Sequence, residues 1–101
     1  MSKYVVYATD TFKKLYSALD NNEKIWIDKI KSSLEESPTG KILHFRWFRE
    51  KKYLNKRLYY LVDDQNKRIL LVSFASKKEQ QNIINFIISN TGELLAYLRK
   101  L

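Results

Sequence analysis

The hydrophobic period of this chain changes at one short segment, Ser37–Gly40 (SPTG), which holds the only proline and one of the two glycines. Upstream of this segment, apolar residues recur every three or four positions, as they do along one face of a helix. Downstream of it, apolar and polar residues alternate, as they do in a half-buried β-strand. With 101 residues the chain can bury both kinds of element around a single core. We therefore predict one α+β domain over residues 1–101.

The part before the SPTG segment predicts a short strand and two helices. Lys3–Thr9 is rich in β-branched and aromatic residues, which favours a strand, and Asp10 or Thr11 can cap the helix that follows. Asp20–Asn22 ends this helix and offers a second N-cap. The apolar stripes are Phe12, Leu15, Tyr16 and Leu19, then Trp26, Ile27, Ile30 and Leu34. A connection of about three residues predicts an antiparallel helical hairpin.

Three strands are predicted after the SPTG segment. The first lies near His44–Lys51, and Leu54–Lys56 forms a turn into the second, Arg57–Val62. Asp63–Asn66 forms the next turn, and Arg68–Ala75 (RILLVSFA) is almost continuously apolar. A run of this kind is typical of a central strand buried on both faces.

The C-terminal part predicts a helix that opens with Ser76 and Glu79 in the S-x-x-E pattern of a capping box. Its apolar positions are Ile83, Ile84, Ile87 and Ile88. Asn90–Gly92 interrupts the helix, and the leucines beyond it suggest a further helical turn or two. The predicted order is therefore β-α-α-β-β-β-α, with an antiparallel sheet packed on the helical hairpin.

Composition excludes several classes of protein. The chain has no cysteine, which excludes a disulfide framework and a thiolate metal site. No stretch approaches the roughly 18 consecutive apolar residues of a membrane span, and the start has too short an apolar run for a secretory signal. We therefore expect a cytoplasmic protein with no membrane partner.

The positive charge is concentrated in one segment. Lys41–Lys78 holds eleven of the nineteen Lys and Arg residues but only three of the eleven acids, an excess of eight that equals the formal net charge of +8. The rest of the chain is therefore balanced. A sheet that carries this many cations predicts a polyanionic partner, and a nucleic acid is the first candidate.

The same segment carries a family resemblance. GKILHFRWFREKKYLNKRLYYLV followed by LLVSFASKKEQQNII resembles the RelE/ParE superfamily of toxins from toxin–antitoxin pairs. The resemblance lies in G-K-x-L, a strand ending in arginine, a short hairpin into R-x-x-Y, and a hydrophobic strand running into K-K-x-Q-Q. It covers residues 40–88, and the N-terminal part agrees in the order of its elements.

This resemblance implies a function. RelE-like members are ribosome-dependent ribonucleases that cut mRNA without a metal, by attack of a ribose 2′-hydroxyl on the adjacent phosphate. The implied partners are mRNA, the ribosome and a small acidic antitoxin. ParE-like members inhibit DNA gyrase instead, and a non-catalytic nucleic-acid-binding homologue is a third possibility. No carboxylate cluster, Cys/His set or glycine-rich phosphate loop is present in the sequence, so we expect neither a metal nor another cofactor.

Cleavage of this kind requires a base and cations beside the reacting phosphate. Lys51 or Lys52 is the candidate base, because crowding among other cations favours a neutral amine. Arg57, which matches the hairpin arginine of the family, is the candidate phosphate clamp, since its planar fork suits two phosphate oxygens. Arg49 and Lys78 complete the candidate catalytic set.

Four further residues are candidates for binding RNA. They are Arg46, Lys56, Lys77 and Tyr53, the last as a platform on which a base could stack. Glu50 is expected to form an ion pair with a neighbouring lysine, although it could also serve as a base, and His44 is expected to be structural. The segment QQNIINFII lacks the tyrosine or histidine that several RelE-like enzymes carry there, and Tyr97 comes too late in the chain to replace it.

Overall fold

The computed structural model of the chain describes residues 3–101. Its elements are β1 (Val5–Ala8), α1 (Asp10–Ser17), α2 (Asn21–Glu36), β2 (Lys41–Leu43), β3 (Phe45–Tyr53), β4 (Lys56–Asp63), β5 (Arg68–Ser76), a 3₁₀ helix (Lys77–Glu79), α3 (Gln80–Ser89) and α4 (Thr91–Lys100). The strands form one sheet in the order β1-β5-β4-β3-β2. The α+β class is confirmed. None of the helices within the described residues is long and apolar enough to cross a membrane.

The predicted order of elements was wrong at two places. A short strand, β2, precedes β3 and pairs with it antiparallel, with Lys41 opposite Glu50. Three residues are too few to show an alternating pattern, so this strand was missed. At the C-terminus, α4 is a second full helix rather than a further turn or two, and Asn90 separates it from α3. The sheet is also not wholly antiparallel, because β1 pairs with β5 in parallel.

Helices cover both faces of the sheet. We call the face under α1 and α2 the hairpin-helix face. The predicted apolar stripes of these two helices pack against it, as expected. Its fully buried members are Phe12, Ile27, Leu34, Leu58, Tyr60, Val62, Ile69, Leu71 and Phe74, together with Tyr4. Alternate residues of β4, namely Leu58, Tyr60 and Val62, therefore belong to this core.

The opposite face, which we call the C-terminal face, lies under α3 and α4. Its buried members are Leu43, Phe48, Tyr59, Leu61, Leu70, Val72, Ile87 and Leu98. The strand β5 is apolar on both sides because it contributes to both cores, as its continuous apolar run predicted. A bulge next to Val72, where Tyr59 pairs with Ser73 but Tyr60 pairs with Leu71, puts Leu71 and Phe74 on the same face.

The helix caps differ in part from the prediction. Thr9, rather than Asp10 or Thr11, caps α1, and its Oγ1 accepts from the backbone N–H of Phe12 at 3.0 Å. Asp20 caps α2 as predicted, in a capping box with Glu23. The capping box predicted at Ser76 is absent, because the side chain of Ser76 makes no cap hydrogen bond and a 3₁₀ turn precedes α3.

Gly40 has a backbone conformation that explains why glycine stands there. Its φ is 141°, and a Cβ built on it would lie 1.9 Å from the hydroxyl oxygen of Tyr60. That hydroxyl donates to the backbone carbonyl of Thr39, so the buried ring of β4 holds the connection between α2 and β2. The change of hydrophobic period in the sequence thus coincides with a tightly packed turn.

Candidate nucleic-acid interface

The tip of the β3–β4 hairpin gathers most of the predicted site. The two strands pair without a shift from Phe48 opposite Leu61 to Tyr53 opposite Lys56, so the turn consists of Leu54 and Asn55 alone. The backbone N–H of Lys77 donates to the carbonyl of Asn55 at 3.2 Å, which attaches the 3₁₀ helix to this tip. Six predicted residues therefore lie at one end of the sheet: Lys51, Lys52, Lys56, Arg57, Lys77 and Lys78.

Strand alternation divides these cations between the two faces of the sheet. Lys52 lies opposite Arg57, in the same phase as buried Phe48 and Tyr59, and therefore on the C-terminal face. Lys51 lies opposite Leu58, which belongs to the core of the hairpin-helix face. The two lysines that the sequence offered as alternative bases are thus on opposite sides, and Lys52 is the one beside Arg57.

A buried ion pair lies on the C-terminal face. The Nε atom of Arg57 is 3.3 Å from Oε2 of Glu50, and their side chains are only 12% and 6% exposed. The amide of Gln80, in the first turn of α3, donates to the other carboxylate oxygen of Glu50 at 2.6 Å. The ion pair expected for Glu50 is present, but its partner is Arg57 rather than a lysine. The guanidinium of Arg57 is therefore already held, and Nη1 also donates to the carbonyl of Lys56 at 3.2 Å.

Tyr59 adds an unsatisfied hydroxyl to this buried polar group. Its side chain is fully buried, and the hydroxyl makes no hydrogen bond to any of the described residues. Burial, reinforced by the charge of Glu50, raises the pKa of Tyr59 to about 12. The nearby amide of Gln80 bonds to Glu50 instead. Tyr59 is thus held neutral and does not act as a base at neutral pH.

On the hairpin-helix face the predicted residues take part in packing. Lys56 forms a salt bridge with Glu23 of α2 and lies over the ring of Phe74, 5.2 Å from its centroid. The ring of Tyr53 is 4.9 Å from Trp26 and 6.2 Å from Phe74, centroid to centroid. Both side chains connect the hairpin to α2, and the ring of Tyr53 is half-buried beside Trp26 and Phe74.

Arg49 and Arg46 lie away from the hairpin tip. The guanidinium of Arg49 donates to the carbonyls of Pro38 and, at 3.2 Å, of Arg46, so it fixes the connection between α2 and β2. Arg46 is exposed and six residues before Lys52, which is about 20 Å along a strand. The structure therefore does not bring Arg46 together with the cations at the tip.

Four lysines at the tip have no acidic partner. Lys52, Lys77 and Lys78 are exposed and Lys51 is half-buried. None of them forms an ion pair within 4.0 Å in the part of the chain that the structure describes. Cations without acidic partners beside a guanidinium can hold the phosphates of a nucleic acid, since each phosphate contact releases bound counterions.

The other residues considered from the sequence lie elsewhere. His44 packs edge-on against Phe45 at 4.4 Å, a structural contact. Tyr97 lines a cavity of about 540 Å³ beside β1, at the far edge of the sheet, and so does not replace the tyrosine or histidine that residues 80–88 lack. Gln80 lies in the K-K-E-Q-Q run of the sequence, but no pattern in the sequence predicts its hydrogen bond to Glu50. Residues 3–101 contain no group of three or more His, Cys, Asp or Glu side chains that could hold a metal ion.

The sequence matches no protein-family model and no curated protein, whereas solved structures do resemble the fold. One is a free E. coli RelE toxin carrying two arginine-to-alanine changes, with a TM-score of 0.68, 17% identity, and coverage of 80% of this chain and 90% of that chain. The intact E. coli RelBE toxin–antitoxin complex gives a TM-score of 0.65 at 19% identity, with coverage of 72% of this chain and 95% of the matched chain.

A third similar structure is the toxin–antitoxin complex RelBE2 of Mycobacterium tuberculosis, with a TM-score of 0.64, 19% identity, and coverage of 74% of this chain and 99% of that chain. The shared architecture spans nearly the full length of all three matched chains. The chain has the fold of the RelE toxins.

Proposed function

We propose that this chain is the toxin of a toxin–antitoxin pair, and that it is a metal-independent endoribonuclease that cuts mRNA on the ribosome in the cytoplasm. The observation that carries the proposal is the group of lysines without acidic partners that lies with Arg57 at the tip of the β3–β4 hairpin, on a RelE fold. A surface of this kind favours a phosphate backbone, and the RelE fold favours mRNA as its source.

Lys52 and Arg57 are the central residues of the proposed site. Directly opposite residues in an antiparallel pair have Cβ atoms about 4.5–5.5 Å apart, so these two cations can contact one phosphate. Arg57 would use the part of its guanidinium that Glu50 does not occupy. Lys77 and Lys78, attached to the tip through Asn55, would hold the neighbouring backbone.

The proposed reaction is an intramolecular phosphoryl transfer. Lys52 takes the proton of the ribose 2′-hydroxyl, and the 2′ oxygen attacks the adjacent phosphorus. The bond from phosphorus to the 5′ oxygen breaks, leaving a 2′,3′-cyclic phosphate and a 5′-hydroxyl. Arg57 and Lys78 stabilise the charge on the phosphoryl oxygens, which is larger in the transition state than in the substrate. Lys78 would supply a proton to the leaving 5′ oxygen.

The remaining predicted residues take supporting roles in this proposal. Lys51 would contact RNA from the hairpin-helix face. Arg49, Lys56 and Tyr53 would hold the hairpin in place, and Arg46 would contact a distant part of the RNA or the ribosome. The four cations among them keep the hairpin and its surroundings positive, which assists association with RNA.

We also propose a small acidic antitoxin as the protein partner. Two of the similar structures are complexes of a RelE-type toxin with its antitoxin. The formal charge of +8 would favour an acidic segment lying across the hairpin. Co-purification with a small acidic protein encoded next to this chain is the expected result.

Expression in cells tests the proposed function. We expect growth arrest and new mRNA 5′ ends inside the ribosomal A site, with 5′-hydroxyl termini. Cleavage of ribosome-bound mRNA in vitro should continue in EDTA, provided that the ribosomes are kept intact by added polyamine. Growth arrest with inhibited gyrase and intact mRNA would instead assign the chain to the gyrase-directed toxins.

A second candidate function is RNA binding without cleavage. The ion pair between Glu50 and Arg57 favours it, because an arginine held by a buried carboxylate has less freedom to follow a phosphate through the reaction. In that case the protein would bind RNA with a strong dependence on salt, and mRNA would stay intact at saturating protein.

A further inference from the structure

The side chain at the extreme tip of the β3–β4 hairpin is a leucine. Leu54 is the first of the two turn residues, and 73% of it is exposed, more than any other large apolar residue in the described chain. Its φ is 53°, in the left-handed region that leucine rarely adopts. Glycine or asparagine is preferred at a position of this kind. A leucine here therefore benefits neither the turn nor the core.

The surroundings of Leu54 are cationic. Lys51, Lys52 and Lys56 lie within three residues of it along the hairpin. The hydrogen bond between Lys77 and Asn55 also brings the 3₁₀ helix next to this turn. The adjacent aromatic residue, Tyr53, packs against Trp26 and Phe74. Leu54 is therefore the apolar group that the tip offers to a ligand, with positive charges on both sides of it.

We propose that Leu54 packs against an unstacked base of single-stranded RNA, while the lysines around it hold the phosphates on either side of that base. Single-stranded nucleic acids are commonly bound in this way, by a charged track for the backbone and an apolar or aromatic surface for the bases. Exposed leucines also serve as wedges between bases in other nucleic-acid-binding proteins. This inference rests on the proposed RNA-binding function and names the residue that meets the base.

The charge around the tip favours RNA over a protein as the occupant. A protein interface centred on an exposed leucine usually has few charges at its core. Of the lysines around this leucine, Lys51, Lys52 and Lys77 form no ion pair in the described structure, and each of these three could pair with a phosphate. The bases between those phosphates provide the apolar surfaces that a leucine can cover.

The test measures binding of a fluorescent single-stranded RNA oligonucleotide, of the length of a few codons, at several salt concentrations. Leu54→Gly removes the side chain and suits the left-handed backbone. We expect affinity to fall about tenfold at every salt concentration, with an unchanged log–log salt slope, because an apolar contact releases no counterions. The melting temperature should rise by about 3–6 °C, since the strain at this position is relieved.

Three further variants complete the experiment. Leu54→Phe keeps an apolar surface at the tip and should retain the affinity of the wild type. Ile25→Ala removes a comparably exposed apolar side chain from α2 and should leave RNA binding unchanged. Lys52→Ala should show the opposite pattern to Leu54→Gly, with the salt slope reduced by about 0.7 for one lost phosphate contact.

A stabilised Leu54→Gly variant that binds RNA as tightly as the wild type would overturn this inference and leave the proposed function intact. The same result together with loss of the co-purifying antitoxin would assign Leu54 to a protein interface and would also overturn it. A wild-type protein that does not bind the oligonucleotide at any salt concentration would overturn the inference, whereas the RNA-cutting function is tested separately by cleavage of ribosome-bound mRNA.

Discussion

The two faces of the sheet differ in what they bury near the β3–β4 hairpin. On the hairpin-helix face, the rings of Tyr53, Trp26 and Phe74 continue the apolar core to the end of the strands. On the C-terminal face, the core gives way to the ion pair of Glu50 and Arg57, with Gln80 hydrogen-bonded to it. The first face is organised for stability. The second places a buried polar group beside Lys52.

The largest effect is expected from a charge placed in the core of the hairpin-helix face. Leu71 is 3% exposed and packs in that core. Leu71→Asp would bury a carboxylate without a partner, at a cost of about 5 kcal/mol or more, which is comparable to the whole stability of a small domain. Circular dichroism should show an unfolded or aggregated protein. Val5→Asp, on the exposed side of β1, is the control and should fold.

A smaller effect is expected from breaking the polar group of the C-terminal face. Glu50→Ala would leave the guanidinium of Arg57 buried without its partner, and we expect a loss of about 3–5 kcal/mol in the free energy of unfolding. The double variant Glu50→Ala/Arg57→Ala should recover part of this loss, since no charge would then be stranded. Urea denaturation of the three proteins measures the coupling. Strictly additive losses would show that the two side chains do not depend on each other.

The smallest effect on stability is expected at Tyr59. Because its buried hydroxyl has no hydrogen bond in the described structure, Tyr59→Phe should stabilise the fold by about 1 kcal/mol. The effect should also depend on pH. The pKa of Tyr59 rises from 10.0 in the unfolded chain to about 12 in the fold. Because the unfolded chain then loses this proton at a lower pH than the fold, the free energy of unfolding is unaffected below pH 10 and falls as pH rises towards 12.

Thermal unfolding between pH 8 and pH 12 tests this point. The wild type should lose stability above pH 10, and Tyr59→Phe should lose less. It should not become independent of pH, because burial also raises the pKa of Tyr60. An alkaline loss of stability that is identical in the two proteins would show that folding does not raise the pKa of Tyr59.

Much of the fold could be predicted because it depends on local patterns. The apolar run of Arg68–Ala75 and the stripes of the two helices indicate by themselves which residues are buried. Asp20 is likewise recognisable from the sequence as the N-cap of α2. The parallel pairing of β1 with β5 could not be predicted, since alternation does not report the direction of a neighbouring strand. A strand as short as Lys41–Leu43 shows no period at all.

The candidate site was harder to predict than the fold because it depends on register. A turn of three residues was expected at Leu54–Lys56, whereas the turn is Leu54 and Asn55 alone, and one residue decides which side chains lie opposite each other. The two-residue turn places Lys52 opposite Arg57 and brings Glu50 to the same face. The sequence therefore predicted which cations lie together at this end of the sheet but not how they are divided between its faces.

The most direct test of the central claim compares two adjacent lysines. Lys51→Ala and Lys52→Ala remove the same charge, and neither lysine has an ion pair in the described structure, but they lie on opposite faces of the sheet. The measurement is single-turnover cleavage of ribosome-bound mRNA. We expect Lys52→Ala to lower the rate about a hundredfold or more, because it removes a group that acts on the transition state, and Lys51→Ala to lower it by no more than about threefold. Equal losses in the two variants, or a larger loss for Lys51→Ala, would contradict the assignment of the chemistry to the C-terminal face.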